Sequence, residues 1–138
     1  MYTLSARSRS NLEGVHPKLV DVILRALEIS QQDFTVVEGL RSIETQKAYV
    51  AKGVSKTMRS YHLQQKDGYG HAVDLYPYYN GSVQVEAPFS RYKMIADAML
   101  EAAKELGVVV TWGADWDRDG DTSDHSFIDS PHYQLETC

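Results

Sequence analysis

The chain has 138 residues, 43% hydrophobic and 24% charged, with a net charge of −5. That length suits one domain spanning residues 1–138 around a single core, and the composition excludes a disordered chain. The acidic balance excludes a basic nucleic-acid footprint and a polybasic membrane patch.

Met1 to Ser8 lacks a long apolar stretch, so no signal peptide is expected, and no apolar run approaches membrane-spanning length. Residues 8–17 read as irregular. Pro17 opens a helix to about Ser30, with Leu19, Val20, Ile23, Leu24 and Leu27 at helical spacing. Phe34 to Glu38 is rich in β-formers and reads as a strand. Ser42 can cap a second helix that runs to about Lys52 and ends at Gly53. Residues 54–67 are polar and read as a loop. His71 to Tyr78 alternates as a strand, Asn80-Gly81 is a turn signal, and Ser82 to Val85 can pair back as a hairpin. A third helix runs from an N-cap at Ser90 to a stop at Gly107, with Tyr92, Ile95, Ala96, Met99, Ala103 and Leu106 as its apolar stripe. Val108 to Trp112 reads as a buried strand, and His132 to Leu135 as a last one. Cys138 is the one cysteine and cannot form an internal disulfide. The mixture predicts an α+β domain: a small, mostly antiparallel sheet packed with about three helices.

Two blocks carry metal-ligand chemistry: Ser60 to Asp74, and Asp129 to His132. Strand alternation places Asp74 on one face with Ala72 and Tyr76, and Val73 and Leu75 on the other. His71 is an odd number of residues from Asp74 and should face away from it. His62 precedes the strand on a loop and is free to fold over it. His62, Asp74 and His132 are therefore the expected ligands, and Asp129 can sit beside the metal rather than on it. Three protein ligands, an open position and a neighbouring carboxylate are the inventory of a catalytic zinc site. Asp129 can take a proton from water and return it to a leaving amine. His16 and His125 read as ordinary surface or core residues. The tyrosines Tyr61, Tyr69, Tyr76, Tyr78 and Tyr79 can line a cleft or simply pack the hairpin.

Ser60-x-His62, Gly70-x-Ala72-Val73-Asp74 and Asp129-x-x-His132 together resemble the zinc D-alanyl-D-alanine carboxypeptidase (VanY-like) peptidases. The branch most similar is the L-alanyl-D-glutamate endopeptidases used as phage endolysins. Ser8 to Pro17, Glu38-Gly39-Leu40-Arg41-Ser42 with Gln46, and Gly113-Ala114-Asp115-Trp116 extend the resemblance over nearly the whole chain. It implies a LAS-type metallopeptidase fold, zinc on His62, Asp74 and His132, and Asp129 as general base. It also implies that Arg41 lies near the site, where it can hold an oxyanion; pairing a structural carboxylate is the equal alternative. The chain departs from the family in one place. The family spaces its first ligand as His-x6-Asp, and that position here is Asp67. Either His62 reaches back through a longer loop, which we favour, or Asp67 replaces it. The base is Asp rather than the Glu of some members.

Asp115, Asp117, Asp119 and Asp121, with Gly120 and Asp124, resemble the start of a calcium loop without being an EF-hand. Carboxylates so close repel unless a cation offsets them, and the resemblance adds that some endolysins of this type are calcium-regulated. The expected activity is hydrolysis of the peptidoglycan stem peptide between L-alanine and D-glutamate. A carboxypeptidase trimming the stem, or a non-catalytic wall-binding module, is the alternative. The protein is expected to be a monomer, and the resemblance implies that it is held in the host cytoplasm until lysis releases it to the cell wall through a holin-type pore.

Overall fold

The computed structural model describes residues 2–53, 61–115 and 129–136. Among them lie four helices and five strands, one helix more than expected. The additional helix, α1 (Ala6–Asn11), falls partly where residues 8–17 read as irregular. Six residues are too few for an apolar period or for stability in isolation. Contacts elsewhere in the fold hold it instead. Ser5 caps it by accepting the Ser8 N–H at 3.1 Å, and buried Ser8 accepts the Val36 N–H on its hydroxyl at 2.9 Å.

α2 (Pro17–Ile29) begins at its proline and buries Leu19, Val22, Ile23, Ala26 and Leu27. Leu24, expected in the stripe, is exposed. α3 (Ile43–Ala51) is capped by Ser42, whose side chain accepts from Thr45 N–H. α4 (Phe89–Leu106) starts two residues earlier than expected, with Pro88 as its cap residue, so Ser90 lies inside the first turn. Leu106 is exposed, and the rest of the predicted stripe is buried. Gly107 ends α4 at φ +68°, and Val108 N–H closes the helix on Ala103 O at 2.9 Å. That hydrogen bond keeps Val108 in the helix end, so the next strand starts later than its apolar run suggested.

The sheet contains β1 (Phe34–Glu38), β2 (Ala72–Tyr79), β4 (Val110–Trp112) and β5 (His132–Leu135) in the order β1-β2-β5-β4, all antiparallel. β3 (Ser82–Val83) pairs with the far end of β2. Asn80 and Gly81 turn that hairpin at φ 54° and 82°, the left-handed pair that a two-residue turn requires. Val36, Val73, Leu75, Trp112 and Tyr133 join the helical apolar faces in the core. Register sets what the opposite face carries. Asp74 pairs with Glu38 on β1 and with His132 on β5, and Gln134 pairs with Ala72 and Thr111. Side chains opposite one another share a face. Glu38, Asp74, His132 and Gln134 therefore stand together on the non-core side.

Candidate metal centre

His62 reaches this face because its own main chain is tied down. Its carbonyl accepts the Arg41 N–H at 2.7 Å, and its ring Nδ1 lies 2.9 Å from Gly39 O. A Cβ on residue 39 would fall 2.1 Å from Asn11 O, so only glycine lets the chain pass here. Asn11 in turn donates to Val36 O at 2.8 Å and Val37 O at 3.2 Å, locking α1 to β1.

A carbonyl can only accept, so the neutral His62 ring carries its proton on Nδ1 and turns the Nε2 lone pair towards Asp74 Oδ1, 3.2 Å away. His132 is set in the opposite tautomer by a side chain. Its Nε2 lies 2.8 Å from Gln134 Oε1, whose amide is oriented by donation from Gln134 Nε2 to Glu136 at 2.7 Å. His132 Nδ1 therefore turns its lone pair to Asp74 Oδ1 at 3.4 Å. Asp74 Oδ1 is buried and accepts no hydrogen bond. Three electron-pair donors thus converge with no proton between them, which is costly unless a cation joins them. Donors about 2.0–2.1 Å from a tetrahedral zinc lie about 3.3–3.4 Å apart, and the two measured separations fit that spacing.

Without a cation the centre draws protons instead. Burial alone would raise the Asp74 carboxyl, but the His132 and His62 imidazoles outweigh it and hold the group well below the usual carboxylate range. Burial works to lower His132, and Asp74 more than offsets it, so the imidazole is raised.

Asp129 stands at the start of the turn into β5. Its N–H donates to Gly113 O at 2.8 Å, its carbonyl accepts the His132 N–H at 3.0 Å, and Gly113 N–H donates to His132 O at 2.8 Å. A Cβ on Gly113 would fall 2.1 Å from Asp129 O, so this close approach also requires glycine. Burial, and then the charge on Asp74, push the Asp129 carboxyl up, while His132, His62 and Arg41 pull it back less strongly. A carboxyl raised in this way holds a proton more readily than an ordinary carboxylate, the direction that proton transfer requires.

Arg41 is largely buried and pairs with Glu38 at 2.5 Å and Gln46 Oε1 at 2.6 Å, over the Tyr49 ring at 4.7 Å. It does pair a structural carboxylate, and its charge also reaches Asp129. Asp67 is elsewhere. It lies 2.7 Å from His71 and 3.6 Å from His16, so His62 and not Asp67 stands with Asp74 and His132. His16, read as filler, caps α2 by accepting Lys18 N–H on Nδ1. The tyrosines disperse: Tyr76 packs edge-on against Tyr92, Tyr79 lies under Arg91, and Tyr69 meets His16. Of the acidic loop, Asp115 is described and buried; Asp117, Asp119, Asp121 and Asp124 lie outside the described residues, as does His125. The sequence reading missed Gly39, Gln134 and Gln46 as supports. Gln134 was within reach, because it shares a strand face with His132 two residues away.

A small antiparallel sheet presenting two imidazoles and a carboxylate, with a second, proton-hungry carboxylate alongside, is the arrangement of a hydrolytic metal centre. A family model of phage L-alanyl-D-glutamate peptidases matches residues 1–136. The L-alanyl-D-glutamate peptidase of Escherichia phage T5 is 33% identical over 140 residues, covering 97% of this chain and 98% of the relative. The crystal structure of the Serratia marcescens L-Ala D-Glu endopeptidase ChiX aligns with a TM-score of 0.79 at 42% identity, covering 96% of this chain and 88% of that one. The chain belongs to the phage L-alanyl-D-glutamate peptidase family, and is accordingly a peptidase.

Proposed function

We propose that this chain is a zinc-dependent endopeptidase that cuts the L-alanyl-D-glutamate bond of the peptidoglycan stem peptide and so lyses the bacterial wall. The observation that carries the reading is the lone-pair convergence on Asp74 Oδ1, with Asp129 adjacent, in a chain of this family. His62, Asp74 and His132 would hold the zinc. When bound, the ion supplies a Lewis acid and lowers the pKa of a water molecule to about 7. Asp129 takes the proton of the attacking water and hands it to the amine of D-glutamate as the C–N bond breaks. Arg41, clamped by Glu38, Gln46 and Tyr49, offers a fixed positive charge to the carbonyl oxygen as it turns negative. The acidic loop from Asp115 to Asp121 binds calcium in this reading and orders the approach to Asp129.

The enzyme acts as a monomer, waits in the host cytoplasm and meets its substrate at lysis. Among the described residues, no helix is long and apolar enough to cross a membrane.

The test is release of free amino groups from purified Gram-negative peptidoglycan, with mass analysis of the fragments. Zinc-loaded wild type should release peptides that begin at D-glutamate; chelated wild type and Asp129→Ala should not. Release of a terminal residue instead identifies a carboxypeptidase. No release with zinc and calcium present overturns the catalytic reading in favour of a wall-binding module.

A further inference from the structure

The same residue types converge a second time. His16, Asp67 and His71 each bring one ligand-type atom within 4.8 Å of the others. The site is assembled from three segments: the residue capping α2, the loop that lengthens the His62-to-Asp74 spacing, and the residue preceding β2. Its parts are held before any ligand arrives. His16 N–H donates to Gly70 O at 3.0 Å, and Gly70 N–H donates to Gly14 O at 2.9 Å. His71 N–H donates to Tyr61 O at 2.8 Å, and its carbonyl accepts Leu135 N–H at 2.7 Å. Asp67 accepts Tyr69 N–H on Oδ1 at 3.1 Å, which turns Oδ2 towards both imidazoles. The imidazole Nε2 atoms of His71 and His16 stand 2.7 and 3.6 Å from that oxygen. These distances bracket the roughly 3.3 Å donor spacing of a tetrahedral site.

We propose that His16, Asp67 and His71 form a second metal site, distinct from His62, Asp74 and His132, that takes borderline divalent cations such as zinc, cobalt or nickel. Two imidazoles and one carboxylate favour these over calcium or magnesium, which prefer oxygen alone. The ion would tie the inserted loop to the start of α2. Because His62 opens that loop, occupancy stiffens the segment that carries a ligand of the first centre.

The second site is the weaker of the two. Asp67 is about one-third exposed, so the surroundings oppose water less than those of Asp74. The His16 proton also sits on the wrong nitrogen. Nδ1 accepts Lys18 N–H at 3.1 Å, so the neutral ring carries its proton on Nε2. Binding a metal at Nε2 moves the proton to Nδ1 and gives up the cap. Surrender of one such hydrogen bond weakens binding by about tenfold.

Cobalt titration of the metal-stripped full chain, with calcium in excess, tests this by calorimetry and visible absorption. Wild type should take two equivalents, the second at least about tenfold more weakly. Asp67→Asn keeps shape at a part-exposed position and should lose only the second. His16→Asn keeps a capping side chain and should also lose only the second. His62→Ala should lose the first and keep the other. Wild type that takes a single equivalent which His62→Ala abolishes overturns the second site and leaves the catalytic centre standing. Two equivalents retained by both Asp67→Asn and His16→Asn also overturn it. A wild-type chain whose only equivalent is abolished by Asp67→Asn supports this site and defeats the first.

Discussion

The two trios share an inventory, two histidines and one aspartate, and differ in what stands behind the imidazoles. At His62, Asp74 and His132, the outer nitrogens face acceptors, Gly39 O and Gln134 Oε1, so lone pairs point inward. At His16 the outer nitrogen faces a donor, Lys18 N–H, so a proton points inward. The first trio therefore needs a cation or an added proton between its donors, while the second already has the His71–Asp67 hydrogen bond and a His16 proton turned inward. Ligand identity alone does not distinguish a tight site from a loose one; the partner of the far nitrogen does.

The largest effect expected on this contrast is catalytic. Asp129→Ala should lower kcat by about 10³-fold or more, yet leave the tight metal equivalent in place by calorimetry. Loss of metal together with activity would make Asp129 a ligand rather than a base. Next comes Gln134→Ala, which releases the His132 tautomer. Zinc affinity at the first centre should fall about 10- to 100-fold while the weaker equivalent is unchanged. Equal weakening of both would show that the outer partner does not decide. Gly39→Ala places a methyl group against Asn11 O and should cost about 3 kcal/mol in denaturant unfolding, a backbone clash that no side-chain rotation relieves. An unchanged midpoint would mean that the α1–β1 contact yields easily.

The smallest effect is on stability against pH. The Asp129 carboxyl is raised in the folded protein, so the unfolded chain releases its proton first as pH increases. Stability of the metal-stripped protein therefore declines from the ordinary carboxylate range, about pH 4, up to the raised value, and stays lower above it. Asp129→Asn lacks this decline. It should be modestly more stable than wild type at neutral pH, and the difference should vanish below about pH 4. A thermal midpoint for the variant at or below wild type at pH 7 contradicts the assigned direction.

What could be read from the residues was what depends on local period. The alternation of β2 put Asp74 on the polar face and set His71 apart, and Asn80-Gly81 marked its turn. What could not be read depends on chain closure. Whether His62 or Asp67 stands beside Asp74 is settled by Arg41 N–H holding His62 O, a contact between distant segments. α1 was hidden because Ser8 and Asn11 hold it to β1 through hydrogen bonds, with no stripe to betray it. Gly39 belongs to the Glu38-to-Ser42 motif, but its physical reason was hidden, since what forbids a side chain there is a carbonyl of α1.

β5 follows every other described strand in sequence yet sits between β2 and β4. During synthesis the sheet therefore stays open at its middle, and Asp74 lacks His132, until residues 132–135 leave the ribosome. Assembly of the His62, Asp74 and His132 face is a late, non-local step in folding. A growing chain carries no finished ligand trio, and one halted before His132 has neither the strand that joins the two parts of the sheet nor the third donor.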